Sequence, residues 1–117
     1  SEINSFIGLK QMDDIASLIK KQSHNALNWN AIIDENNDVQ KITITNNVIP
    51  NYWVYGVLAK NKTATIKKFR EQGFYATSVH INNNIYSVFK NKVELKGVNE
   101  FINHFVAIPC GWWLNKI

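Results

Sequence analysis

The segment YWVYGVLA, residues 52–59, carries no charge, and every position except Gly56 is apolar or aromatic. A short run without a polar side belongs in the middle of a sheet, where both faces are covered. The rest of the chain must then supply strands at its edges and helices over its faces. Gly56 inside the run marks a bulge or a close approach of backbone.

The flanking elements are readable from their punctuation. Residues 39–45 alternate Ile42 and Ile44 with Lys41, Thr43 and Thr45, which predicts a half-exposed strand. Asn46 and Asn47 open a connection that ends at Pro50. Downstream, Asn61 or Thr63 caps a helix through Ile66 and Phe69, with Gly73 as its left-handed stop and Lys67, Lys68 and Arg70 on its solvent side. Residues 74–80 begin with Phe74, Tyr75, Thr77 and Val79, a strand pattern that ends at His80 and the triple asparagine Asn82, Asn83 and Asn84. Residues 91–97 read as a loop. Residues 98–105 read as a helix with Val98, Phe101, Ile102 and Phe105 turned inward, and residues 106–109 as an extended segment halted by Pro109.

Before the first strand, residues 1–36 read as one long helix, or two with a break. Ile3, Phe6, Ile7, Met12, Ile15, Ala16, Ile19, Ala26, Trp29, Ile32 and Ile33 recur at three- and four-residue intervals, an apolar stripe. The polar residues 20–25 interrupt it and are the expected place for a bend. Gly8 suggests close packing against another element. Residues 34–38, DENND, are the stop. The expected fold is therefore α+β: a long N-terminal helix and a small, mostly antiparallel sheet of about three strands with helices packed on it. Residues 1–117 form one domain, with 1–36 as a connecting helix region and 39–117 as an α/β core.

Composition narrows function. A chain of 117 residues suits one domain, and no apolar run approaches the ~20 residues needed to span a bilayer. The first residues lack the basic-then-apolar pattern of a signal peptide. Cys110 is the sole cysteine, which excludes an internal disulfide and makes a reducing cytoplasm the expected setting. The net charge of +4 comes from twelve lysines and one arginine, Arg70, against nine acids. Nucleic-acid sites favour planar guanidinium groups, so this lysine excess reads as solvated surface and argues against a nucleic-acid binder. No His, Asp or Glu spacing points to a metal. Asp13 and Asp14 read as a helix face, and Cys110 as an inert buried thiol with no base beside it. His24 and His104 fall on helical stretches and read as surface residues. His80 is the leading site residue, since a strand that releases a histidine into a polar loop is a common way to present chemistry.

Three collinear stretches resemble the DegT/DnrJ/StrS sugar aminotransferases, pyridoxal-phosphate enzymes. SEINSFIGLKQM, residues 1–12, is similar to that family's S/T-D-I-N/Q-A-A-I-G-L-x-Q-L. YWVY at residues 52–55, followed by a helix, Gly73, a strand and His80, is similar to its order of the same features. LKGVNEF at residues 95–101 and VAIPCGWW at residues 106–113 are similar to LPGVDEF and AIPVGWW. Glu2, Phe6, Lys96 and Cys110 depart from the family's usual Asp, Ala, Pro and Val.

The resemblance implies a fold like the C-terminal small domain of a fold-type I aminotransferase. It implies the C-terminal portion of an enzyme moving an amino group from glutamate to a keto-sugar nucleotide, as in polysaccharide biosynthesis. The family's catalytic lysine, phosphate-binding residues and pyridine-nitrogen aspartate lie upstream of the segment that residues 1–12 resemble. No catalytic residue is therefore expected on this chain, and pyridoxal phosphate is expected only with a large cofactor-binding domain in cis or trans, in a homodimer. His80 is implied to face the nucleotide-sugar pocket, or else it ends its strand bonded to local backbone. Asn82 and Tyr86 follow in the loop, able to hydrogen-bond sugar hydroxyls or phosphate, or else supplying ordinary loop polarity. Asn4 is implied to lie near the cofactor or dimer interface, or else to bond locally at the helix start. Trp112 and Trp113 are expected to anchor the large domain or to complete this domain's own core. The alternative is a non-catalytic remnant acting as a binding or interaction module.

Overall fold

A computed structural model describes residues 1–89, 93–115 and 117. The elements run α1 (Glu2–Met12), α2 (Ile15–Asp34), β1 (Val39–Lys41), β2 (Val54–Ala59), α3 (Lys62–Glu71), a 3-10 turn (Asn83–Ile85), α4 (Lys96–His104) and β3 (Phe105–Pro109). The three strands form one antiparallel sheet in the order β1-β2-β3, with Gln40 opposite Leu58 and Gly56 opposite Ala107. The α+β fold and the central place of β2 are thus as the sequence predicts.

The core forms where α2 and α3 meet the sheet. Trp29, only 1% exposed, is its centre. Its indole packs edge-on against Phe69 of α3 at 5.7 Å and against Phe74 at 4.9 Å. Its Nε1 donates to the Pro109 carbonyl at 2.9 Å, which satisfies the one polar atom of a buried ring. Val57, Ala59, Val106 and Ile108 complete the cluster from the sheet.

Helix α3 has both of its expected ends. The Asn61 side chain accepts from the Ala64 amide at 3.0 Å. Gly73 has φ +89°, its amide bonds the Arg70 carbonyl, and the Phe74 amide bonds the Phe69 carbonyl. That pair of bonds is a Schellman stop, which needs the left-handed residue glycine supplies. It also delivers Phe74 to Trp29.

Other expectations need correction. The N-terminal stripe breaks at Asp13 and Asp14, not within residues 20–25. Two adjacent aspartates favour caps over helix interiors, and the Leu18 amide starts the new helix on the Asp14 carbonyl. The polar residues 20–25 stay helical because some of them anchor the helix. Gln22 Nε2 donates to the Asn51 carbonyl, and Asn25 Nδ2 to the Gly111 carbonyl. Only Ala26, Trp29 and Ile33 of the stripe are buried; Ile3, Phe6, Ile7, Met12, Ile15 and Ile19 are exposed. Gly8 has open space where a Cβ would stand, so close packing does not explain it.

Strand β1 is three residues rather than seven. Its ladder ends at Lys41 opposite Val57, and the space over Gly56 is filled by the Ile42 side chain and the Phe105 ring. Close approach at Gly56 is therefore real, made by side chains. The strand expected over 74–80 reduces to one bridge, Thr77 to Ala107. Tight turns interrupt it: the Ala76 amide bonds the Phe74 carbonyl, and the His80 amide bonds the Ser78 carbonyl. On α4, Val98 and Phe101 are exposed and Ile102 is half-buried; Phe105, expected on this helix, is half-buried and opens β3. The loop expected over 91–97 falls partly on residues 91 and 92, outside the described residues.

Candidate functional site

His80 is exposed, and its imidazole faces the indole of Trp53 at 6.1 Å between ring centroids. Each ring is held by its own backbone. The Trp53 amide donates to Asn51 Oδ1 at 3.2 Å, and the Asn51 carbonyl is tied to α2 through Gln22 at 2.7 Å. Tyr52, just before Trp53, has φ +53°; Val79, just before His80, has φ +55°. Among the described residues these are the two non-glycine residues in that region. For β-branched Val79 this is a costly conformation, of order 1–3 kcal/mol.

Asn82 and Tyr86 flank the 3-10 turn. Asn82 Nδ2 donates to Asn99 Oδ1 at 2.8 Å, which ties the loop to α4. Asn82 Oδ1 is buried without a partner among the described residues, as is Asn84 Oδ1. Asn84 Nδ2 donates to the Val93 carbonyl at 3.3 Å. The Tyr86 ring is about half exposed, and its hydroxyl has no partner among the described residues. Asn4 stands on the exposed face of α1, apart from this hydrogen-bonded loop. His104 is exposed at the end of α4, as its helical position predicts, and its Nδ1 meets the Ala59 carbonyl at 2.8 Å. Sequence reasoning placed Trp53 only in a strand and did not single out Asn99. The signal for Trp53 was an aromatic beside Asn51 at the mouth of the central strand.

Beyond Trp53 lies a groove of about 830 Å³, lined by Asn30, Asn36, Asn51, Tyr52, Trp53 and Tyr55 among others. Tyr55 Oη donates to Asn30 Oδ1 at 2.6 Å. Burial, with Tyr52 and Asp34 nearby, pushes its pKa up to about 12. Lys41 pairs with Asp34 at 2.6 Å on the rim. Cys110 is fully buried, its thiol lies 3.5 Å from the Gln22 carbonyl, and burial pushes its pKa to about 11. Among the described residues no three His, Cys, Asp or Glu side chains gather as metal ligands, and no helix is long and apolar enough to cross a membrane.

A scan against family models gives no match, and a sequence comparison with curated proteins gives none either. Solved structures do match in fold. A sugar aminotransferase of Micromonospora echinospora, CalS13, superposes with TM-score 0.86 at 22% identity, over 94% of this chain and 30% of its own. PseC of Helicobacter pylori, an aminotransferase of pseudoaminic acid biosynthesis, gives 0.82 at 24% identity, over 97% of this chain and 33% of its own. A DegT DnrJ EryC1 StrS aminotransferase of Brucella abortus gives 0.76 at 10% identity, over 92% and 30%. The fold is thus a small α+β unit that recurs within sugar aminotransferases. This chain spans about a third of the length of those enzymes.

Proposed function

We propose that this chain is the C-terminal portion of a DegT/DnrJ/StrS-type nucleotide-sugar aminotransferase. It would form one wall of the substrate cleft and part of the contact between subunits. The observation that carries the reading is the joint one: the family's three motif stretches lie collinear on a chain whose fold matches sugar aminotransferases over at least nine-tenths of its length. The exposed apolar side chains of α1, with Ile3, Phe6, Leu9 and Met12 each more than 60% exposed, are consistent with a surface that a further domain or subunit covers.

In this reading pyridoxal phosphate is not held by this chain. Lys41, which lines the groove beside Trp53, is held by Asp34. The cofactor would be held by the large domain, where it supplies the electron sink for amino transfer. This chain's part is to bind and orient. His80 offers ring nitrogens to a substrate hydroxyl or phosphate. Asn82 and Tyr86 offer an amide and a phenol from the adjoining loop. Asn82 Oδ1 is buried without a donor among the described residues, at a cost of about 1–3 kcal/mol.

The test is amino transfer from glutamate to a keto-sugar nucleotide by this chain assembled with its lysine-bearing domain. Substituting His80→Ala is expected to lower kcat/KM about 10- to 100-fold, as for loss of a hydrogen bond to charged or reacting groups. Unchanged turnover in that variant removes His80 from the site. The chain alone is expected to show no absorbance of a lysine-bound cofactor; such absorbance would overturn the division of labour.

A further inference from the structure

Trp53 belongs to both features of this surface. It lines the 830 Å³ groove and faces His80 at 6.1 Å, while His80 is not among the residues lining that groove. It is 60% exposed, unlike Trp29, so its ring is not serving the core. Tyr52 and Val79, the two non-glycine residues with positive φ among those described, sit directly before the two facing rings. Strain of this kind persists where surrounding structure enforces it and gathers at ligand-gripping sites. An exposed, backbone-fixed indole with an imidazole at its side is suited to a ring that has an apolar face and a polar edge. The face stacks on the indole, and a hydroxyl on the edge reaches the imidazole.

We infer that Trp53 is the stacking platform for the sugar ring of the substrate, with His80 reading a hydroxyl at its edge. The inference rests on the substrate-cleft reading above and adds a residue that reading does not assign. Asn30, Asn36 and Asn51 line the same groove, amides that can donate to and accept from ring hydroxyls; a nucleobase edge would use the same groups, so uridine serves as the probe that separates base from sugar.

The experiment is a titration of the full 117-residue chain followed by NMR. The Trp53 indole N–H signal is assigned by its loss in Trp53→Phe, and the His80 ring signals by their loss in His80→Gln. The probes are methyl glucoside, uridine and UDP-glucose, each at millimolar concentration. Methyl glucoside and UDP-glucose are expected to shift the Trp53 and His80 signals together, with uridine leaving both in place. Trp53→Ala is expected to abolish the His80 shift and Trp53→Phe to retain it, while both keep the dispersed spectrum of the folded chain. Shifts at His80 or Asn82 that survive Trp53→Ala overturn the platform and leave the cleft reading standing. A Trp53 shift with uridine but not methyl glucoside overturns the choice of a sugar ring. No shift at any of these residues with any probe overturns the platform; amino transfer by the assembled enzyme then decides the cleft reading separately.

Discussion

The side-chain amide of Asn25 donates 2.9 Å to the carbonyl of Gly111, joining α2 to the segment after β3 across 86 positions of sequence. Both groups are buried, and the thiol of Cys110 meets the Gln22 carbonyl one turn earlier on the same helix. Substituting Asn25→Ala strands the Gly111 carbonyl. A loss of about 1–3 kcal/mol in unfolding free energy is expected. Urea titration of the variant beside the parent chain measures it, and an unchanged midpoint would show that water replaces the amide at no cost.

Trp29 is the larger lever. It contacts Phe69, Phe74 and Tyr55 and donates to Pro109, so four parts of the chain converge on one ring. Trp29→Ala is expected to cost about 3–5 kcal/mol, a large share of a small domain's stability. Trp29→Phe keeps most of the volume and loses the bond to Pro109, so a smaller loss is expected. Equal losses in the two variants would show that the hydrogen bond, rather than the packing, dominates.

Two glycines give opposite signs. Gly73 holds φ +89° at the stop of α3, and Gly73→Ala is expected to destabilise by about 1–2 kcal/mol. Gly8 lies inside α1 with nothing within 4 Å of a new Cβ, and Gly8→Ala is expected to stabilise by up to about 1 kcal/mol. Thermal melts of the two variants compare them directly. An unchanged melt for Gly8→Ala would mean that α1 does not persist as a helix in solution, and a lowered one that the new Cβ is not in open space.

Alkaline pH is expected to weaken the fold. Folding raises the pKa of Cys110 from 9.0 to about 11 and that of Tyr55 from 10.0 to about 12, in both cases chiefly by burial. The folded state therefore holds these protons more tightly than the unfolded state. The contribution is complete below about pH 9, and it is lost as pH rises through about 11 and then about 12. Unfolding free energy is expected to fall across that window, with a shallower slope in Cys110→Ala. In the native state at neutral pH the same thiol should react with alkylating reagents only as fast as the chain opens. Rapid labelling without denaturant would contradict its burial.

The elements legible in sequence were those whose signals are local. The run 52–59 has one reading at sheet scale, and Asn61 and Gly73 bracket α3 with caps that act within four residues. What was not legible depends on partners far along the chain. Residues 20–25 look like an interruption because their polarity breaks the stripe, yet Gln22 and Asn25 point at carbonyls 29 and 86 positions away. Residues 74–80 have strand-forming side chains, but the Arg70 guanidinium takes the Ala76 carbonyl at 2.9 Å and tight turns leave only Thr77 on the sheet. His80 could be singled out as a histidine leaving a strand for a polar loop. Its pairing with Trp53 could not, because it is set by turns at Tyr52 and Val79 that no residue preference favours. The site role of Asn4 rests on the resemblance and those of Asn82 and Tyr86 on their place in the loop after His80; Asn4 lies on a separate helix.

The most direct test of the account is the size and cofactor content of the native species that carries this sequence. Tryptic peptides of this chain, traced by mass spectrometry through size-exclusion fractions of the source cells, locate it. The account predicts that they travel with a pyridoxal-phosphate-bearing species several times the length of this chain, either in one polypeptide or bound to a second. Recovery of the chain as a free monomer, with no cofactor-bearing partner, would contradict it.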